Sequence, residues 1–449
     1  MIEFTKEYIE NLKRIISSKD DAKALALLNE LHAADIAELY RELDLREAIY
    51  LYMLMDGDKT ADVLMELEEE DRRRLLKEIP TEQIAKRFID KMDTDDAVDL
   101  MRDLDEDTQE EILSHIEDVE QAGDIVDLLK YDEDTAGGLM GTEMIVVNEN
   151  WSMPQCIEEM RKQAEDMDEI YNVYVVDNDN RLKGMLPLQK LITNPSISKI
   201  RHVMQRDPVL VHDSDSIDAV TELITKYDLV SLPVVDSIGR LVGRITVDDV
   251  MDEIQEQHER DYQLASGISH DVESSDKVFL QTVARLPWLL IGVVAGLSNS
   301  MILGGFELGF ASNPKMAFFI PLIGGTGGNV GIQSSAIVVQ GLANNSLKRS
   351  QIFRQVVKEA AVALINASII SMIVFLYNVF TLGDHNITIS VSASLFSVVL
   401  FASIFGTVVP MMLDRLRIDP ALATGPFITI TNDIIGMLIY MLVSAALMN

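Results

Sequence analysis

The chain has 449 residues, with 73 Asp and Glu against 38 Lys and Arg, a formal charge of −35 and a single cysteine. That acid excess would repel a phosphate backbone, which excludes nucleic acid as a partner, and it suits the binding of hydrated cations. The lone Cys156 rules out an internal disulfide framework and any cysteine-based metal cluster.

The charge is unevenly spread. Residues 1–130 carry 37 acidic against 17 basic side chains and residues 131–280 carry 30 against 13, whereas the remaining 169 carry only 6 against 8. A soluble acidic module joined to a membrane module is expected. The opening MIEFTK lacks a basic region followed by an apolar core, so no cleavable signal peptide is expected, and the acidic part is placed in the cytoplasm.

Residues 1–130 are predicted to form an acidic all-α domain of short amphipathic helices. The stretches 36–43 (IAELYREL), 61–67 (ADVLMEL) and 97–104 (AVDLMRDL) space apolar residues three and four apart with acids between them. Their common pattern suggests a helical repeat in which each helix pair stacks on the next.

From about residue 143 the period changes to strand, helix, strand. Residues 173–184 (VYVVDNDNRLKG) align with 232–243 (LPVVDSIGRLVG) at a spacing of 59, each reading as a β-hairpin. A helix is predicted before each hairpin (156–164 and 216–226) and a short strand before each helix (144–147 and 208–211). This tandem pattern resembles a pair of CBS domains, assigned here to residues 131–200 and 201–255. In that family a Thr/Ser-x-x-Asp turn often meets the ribose of an adenine nucleotide. The second copy has it as Thr246 and Asp249, whereas the first has PLQK at 187–190, so the resemblance implies at most one nucleotide site. A polar helix follows, within a connecting region assigned to residues 256–280.

The last third, residues 281–449, contains five predicted spans, at 285–305, 316–341, 356–380, 389–413 and 421–447, each near or above the roughly 20 residues a membrane helix needs. Arg285, the Lys348, Arg349, Arg354 and Lys358 group, and Arg415 with Arg417 fall on one side, and Lys315 on the other. This places the N-terminal domains in the cytoplasm and the C-terminus outside. His270 and His385 are expected outside the spans.

Two stretches carry the candidate chemistry. Residues 321–333 (PLIGGTGGNVGIQ) combine small-xxx-small glycine spacings with Asn329 and Gln333 on one helical face; Gly325 and Gly328 are the glycines expected along an ion path. In the fifth span Asp433 shares a face with Pro426, Thr429, Gly436 and Tyr440. A carboxylate at that depth is costly, and no basic residue lies well inside a span, so a mobile cation is the most economical partner.

Together with RLPW at 285–288 and RLRIDPA at 415–421, these stretches resemble the MgtE family of magnesium channels over the whole chain. The resemblance implies a homodimer in the lipid bilayer of the plasma membrane, with Asp433 from each subunit facing a pore between the second and fifth helices. It also implies regulatory Mg²⁺ at Asp95, Asp99, Asp218, Asp228, Asp249, Asp252 and Asp261, with Gln257 and Arg260 interrupting the family's acidic pattern. The implied activity is conduction of Mg²⁺ into the cytoplasm, closed by cytosolic Mg²⁺. Hard oxygen ligands suit that ion. The competing expectations are a cation-coupled secondary Mg²⁺ transporter and a membrane-anchored nucleotide sensor. An enzyme is not expected, because the sequence contains no nucleophile-base pattern, phosphate loop or catalytic metal cluster.

Overall fold

The computed structural model describes residues 4–164, 167, 170–194, 198–270, 272, 277–307, 313–343, 347, 352–381, 383–423 and 425–448. The chain separates into two units, Met1–Ile254 and Gln255–Asn449.

The first unit begins with a series of short helices. The three repeat segments lie on helices Ala33–Tyr40, Gly57–Met65 and Thr94–Arg102, which end two or three residues before the predicted limits. The reason is shared. In each, the closing leucine of the pattern donates its N–H to a carbonyl three residues back, Leu43 to Tyr40, Leu67 to Leu64 and Leu104 to Met101, so the last turn tightens and the helix stops. The apolar stripes of these helices meet in one core that includes Leu39, Leu64, Phe88, Leu100 and Met101. Acidic caps start many of the helices. Asp44 and Glu47 form a reciprocal capping box on Leu45–Leu54.

Residues 145–246 build two small sheets. The first contains β1 (Ile145–Asn148), β2 (Val173–Val176), β3 (Leu182–Leu186) and β4 (Gln205–Arg206), adjacent in that order. The second contains β5 (Val211–His212), β6 (Ser231–Val235) and β7 (Leu241–Thr246). In both, a strand pairs parallel with the first arm of a hairpin, as the intervening helix requires. The duplication extends to irregularities. Pairing shifts between Val175 and Val176 in one hairpin and between Val234 and Val235 in the other, 59 residues on. The helices before the hairpins are Met153–Gln163 and Ile217–Tyr227. The strand expected at 208–211 is Val211–His212, because the chain from Asp207 to Leu210 forms no ladder.

Among the described residues the second unit holds the end of the connecting helix Val247–Ala265 and five helices of 24 residues or more, Val278–Gly305, Ile320–Ala343, Ile352–Thr381, His385–Arg415 and Gly425–Met448. Among the described residues four of these are long and apolar enough to cross a membrane; the exception, Ile320–Ala343, carries the glycines, Asn329 and Gln333. Its 24 residues still extend roughly 36 Å. Two limits differ from expectation because a 3₁₀ turn, Pro314–Phe319 or Pro420–Ala423, precedes the helix. His385, expected outside the spans, is the first residue of the fourth helix, since Asp384 caps it by accepting from Asn386 and Ile387. Lys348 and Arg349 lie outside the described residues. The fourth helix is the most buried of the five and supplies Leu395, Val398 and Val399 to the core, while Leu289, Val294, Ile365 and Phe380 lie exposed on the first and third.

Candidate ion sites

In the second unit, Asp433 opens into a cavity of about 330 Å³ lined by Asn299, Ile320, Pro321, Gly324, Gly325, Gly328, Asn329, Thr429, Asp433 and Met437. The glycines of the second helix divide by face. Methyl groups built on Gly324 and Gly328 would stand 3.6 and 3.7 Å from an Asp433 oxygen, so their absence leaves room beside the carboxylate. Gly327 and Gly331 instead allow packing. A methyl on Gly327 would meet Val398 at 3.0 Å, and one on Gly331 would collide with the Asn432 amide.

The predicted path residues are therefore only partly assembled. Asp433, Thr429, Asn329, Gly325 and Gly328 line the cavity. Gln333 is exposed one turn beyond Asn329 and is not among the lining residues. Gly436 faces the fourth helix, where its missing side chain admits Val398. Tyr440 is buried and donates its hydroxyl to the Met316 carbonyl. Pro426 packs on Gly267, and a side chain on Gly425 would meet the Ala265 carbonyl. Asn299, which sequence reasoning missed, has a buried amide oxygen without a hydrogen-bond partner among the described residues. Its signal was the single amide of the first predicted span, at 285–305. Among the described residues no Lys, Arg or His lines the cavity, which offers a carboxylate, amides and a hydroxyl: a hard-oxygen set without a cationic side chain in its wall.

In the first unit the carboxylates of Asp93, Asp95 and Glu143 each place an oxygen within 4.8 Å of the others. Glu143 reaches the cluster by accepting from the Thr94 N–H at 2.9 Å and hydroxyl at 3.0 Å, capping Thr94–Arg102. Gly141 passes so close that a methyl there would lie 2.8 Å from Asp95 Oδ2 and 3.0 Å from Glu143 Oε2. Loss of surrounding water, then the charges of Asp249, Asp96, Glu143 and Asp93, raise the Asp95 carboxyl well above the usual range. Asp96 is pushed up to about 7 by the same desolvation and by Asp249 and Asp93. Desolvation also raises Glu143 and Asp249. Arg244 stands 3.7 Å from Asp93 and is a nearby positive charge.

The remaining predicted acidic positions are dispersed. Asp99 is exposed and paired with Arg102 at 3.3 Å. Asp218 starts the helix Ile217–Tyr227 and Asp228 follows its end in a left-handed conformation, so the two are roughly 15 Å apart along the axis and share no site. Asp252 lies one turn beyond Asp248, and burial with that neighbour raises its carboxyl. Asp261 belongs to the second unit. Thr246 donates its N–H and hydroxyl to Asp249 Oδ2 at 2.8 and 2.6 Å, so both parts of the expected ribose turn bond to each other. In the first copy Lys190 instead donates to the Val203 carbonyl. Asp93 and Glu143 were missed because they belong to no helical stripe; only the folded chain brings residue 143 back onto residue 95.

Long apolar helices joined to an acidic part of short helices and two duplicated hairpin units define a multi-pass membrane protein with a folded domain outside the membrane. Family models match at residues 320–443 (MgtE, divalent cation transporter), 31–134 (MgtE intracellular N domain), and 136–195 and 200–256 (CBS domain). The chain is 31% identical to the magnesium transporter MgtE of Thermus thermophilus over 445 residues, and 29% identical to that of Bacillus subtilis over 443, covering 98% of each chain in both cases. It is also similar to the crystal structure of the cytosolic domain of the Mg²⁺ channel MgtE in complex with ATP. That match has 31% identity and a TM-score of 0.51, covering 55% of this chain and 99% of that one. The chain belongs to the MgtE family, a family of divalent cation transporters and not of enzymes.

Proposed function

We propose that this protein is a Mg²⁺-selective channel of the plasma membrane that conducts Mg²⁺ into the cytoplasm and closes when cytosolic Mg²⁺ occupies its acidic soluble unit. The observation that carries the reading is the Asp433 cavity, whose lining oxygens lack a fixed cationic partner. Mg²⁺ parts with its waters reluctantly, so the carboxylate, Asn299, Asn329 and Thr429 would hold it through its hydration shell. Binding of that kind is strong enough to select and weak enough to release.

Family membership supports Mg²⁺ as the cargo, because the full-length relatives are magnesium transporters. Asn329 and Gln333 are exposed on the second helix. Polar groups are costly against lipid, which supports a homodimer in which the second copy covers this face and brings a second Asp433 to the path. The N-terminus is cytosolic and the C-terminus outside, following the basic flanks. In the soluble unit Asp93, Asp95 and Glu143, with Asp249 nearby, would take regulatory Mg²⁺. The ion would favour the closed state through its preference for the crowded arrangement that it neutralises. Adenine nucleotide, as in the ATP complex of the relative, would bind at most once, at the second CBS copy.

The test is current through purified protein in a planar bilayer with Mg²⁺ as the only cation. Unitary conductance that disappears in Asp433→Ala and falls as Mg²⁺ is raised on the cytosolic face is expected. Uptake that requires a proton or Na⁺ gradient, without unitary conductance, would replace the channel by a coupled transporter.

A further inference from the structure

The third membrane helix, Ile352–Thr381, presents one exposed apolar stripe. Val362, Ile365, Ile369, Met372 and Leu376, spaced three and four residues apart, are each 40–60% exposed. The same stripe runs on into the exposed aromatics Tyr377 and Phe380 at one end and into the exposed Lys358 and Arg354 at the other. Lys358 and Tyr377 are 19 residues apart, roughly 28 Å along the axis. That length matches the roughly 30 Å of a hydrocarbon core, so the aromatics stand at one interface and the two cations at the headgroup level of the other.

The fourth helix brings a third cation to that level. Only three residues separate Thr381 from His385, so the third and fourth helices run antiparallel. Their register is fixed by the buried Glu359, which accepts from Ser403 of the fourth helix at 2.9 Å and from Ser334 of the second at 2.7 Å. Arg354 lies five residues from Glu359 and Arg415 twelve from Ser403 in the same direction, which leaves the two arginines roughly 10 Å apart along the axes. Helical side chains lean toward the N-terminus of their own helix. Arg354 and Lys358 therefore lean out of the bilayer and Arg415 leans back toward it, and all three converge on one layer. The exposed Val408 and Met412 of the fourth helix lie beside that layer.

Charge decides what covers this face. Among the described residues Arg354, Lys358 and Arg415 make no side-chain hydrogen bond or ion pair, and all three are exposed. In the soluble unit, by contrast, Arg72, Arg102 and Arg244 each meet a carboxylate. The acids adjoining the three cations in sequence, Glu359 and Asp414, are buried and half-buried. Three cations facing outward at the end of a lipid-length apolar stripe suit a headgroup of net negative charge, whose phosphate oxygens accept from guanidinium and ammonium while its chains follow the stripe.

We propose that Arg354, Lys358 and Arg415 bind the headgroup of an anionic phospholipid, whose acyl chain lies along Val362, Ile365, Ile369 and Met372, and that this lipid braces one end of the third and fourth helices. The site lies apart from the Asp433 cavity and stands whatever the cargo is, and whichever leaflet is cytosolic.

The test is native mass spectrometry of the full-length protein, delipidated in detergent and titrated with phosphatidylglycerol or phosphatidylcholine. Phosphatidylglycerol should bind at least about tenfold more tightly. Arg354→Gln, Lys358→Gln and Arg415→Gln should each weaken it about fivefold, and the three together about 100-fold, with phosphatidylcholine unchanged. Lys315→Gln, at the far end of the membrane unit, should change it by less than about twofold. Arg354→Lys combined with Arg415→Lys keeps the charge and should stay within about threefold of wild type. Unaltered phosphatidylglycerol binding in the triple variant, or an equal loss in Lys315→Gln or in the charge-keeping pair, would overturn the proposal. The same spectra count subunits: if Ile365→Gln converts an assembly into single chains, a second copy and not a lipid covers the stripe, and the proposal fails.

Discussion

Asp433 and Asn299 show how two oxygens from opposite ends of the membrane module come to border one cavity. Asp433→Asn keeps the volume and removes the charge, and Mg²⁺ flux should fall about 100-fold, while Asn299→Leu should cost about tenfold, the range seen when a supporting ligand is lost. Radiotracer-free uptake with a fluorescent Mg²⁺ indicator in liposomes measures both, and unchanged flux in Asp433→Asn would remove the carboxylate from the path. A contrast in the soluble unit tests stability at the same scale. Arg72 and Asp103 form an ion pair at 2.6 Å with only 13% and 9% of their side chains exposed, whereas Lys130 and Asp127 pair in solvent. Arg72→Met should lower unfolding free energy by about 1.5–3 kcal/mol, because it removes the shorter of the two bonds to the buried Asp103 carboxylate and leaves only Arg73 at 3.5 Å. Lys130→Ala should change it by less than about 1 kcal/mol. Denaturant melts separate the two outcomes.

Elements meet through residues that have no side chain. The second and fourth membrane helices approach so closely that a methyl on Gly406 would lie 2.4 Å from the Gly331 carbonyl. Gly406→Ala must push backbone apart and should destabilise the membrane unit by about 1–3 kcal/mol, the usual cost of overpacking. Thermal aggregation in detergent, followed by size-exclusion chromatography, should show an earlier loss of the monodisperse peak. Gly325→Ala should leave that midpoint unchanged, since nothing lies within 4 Å of the added methyl. The glycine-rich motif was legible as a close-packing signal. Its division into a packing face and a face that borders the Asp433 cavity was not, because one glycine face looks like another until neighbouring helices are in place. The hairpins were more transparent: alternating β-branched residues ending in an acidic turn specify a strand pair locally, and the duplication at a spacing of 59 reappears down to the pairing irregularity.

For the whole molecule the raised carboxyls of the soluble unit set a pH dependence with a definite sign. Asp96 titrates at about 7 when folded against an ordinary value of 3.8. The folded form therefore holds a proton that the unfolded form has released. Its contribution to stability is full below about pH 4 and is lost as pH rises through about 7. Asp95, Glu143 and Asp249, raised in the same direction, add to the effect. With a chelator present, the soluble unit of the intact protein should resist protease better at pH 5 than at pH 8. Added Mg²⁺ should restore resistance at pH 8. Equal cleavage at both pH values, with and without Mg²⁺, would detach this cluster from any regulatory role.

Chain-local physics determined the division of this protein. Charge density separated soluble from membrane segments, three- and four-residue spacing made the short helices, and period-two alternation made the hairpins, because each depends on neighbours a few residues apart. Asp433 stood out for the same reason, as a lone charge in an apolar run whose cost is visible from its immediate surroundings. Tertiary structure alone decided which oxygens share a site. Glu143 joins Asp95, Asn299 joins Asp433, and Glu359 joins Ser334 and Ser403, across 48, 134, 25 and 44 residues respectively. Such meetings depend on how each helix is rotated and where it crosses its neighbours, and those angles are set by packing summed over many residues rather than by the few that carry the chemistry.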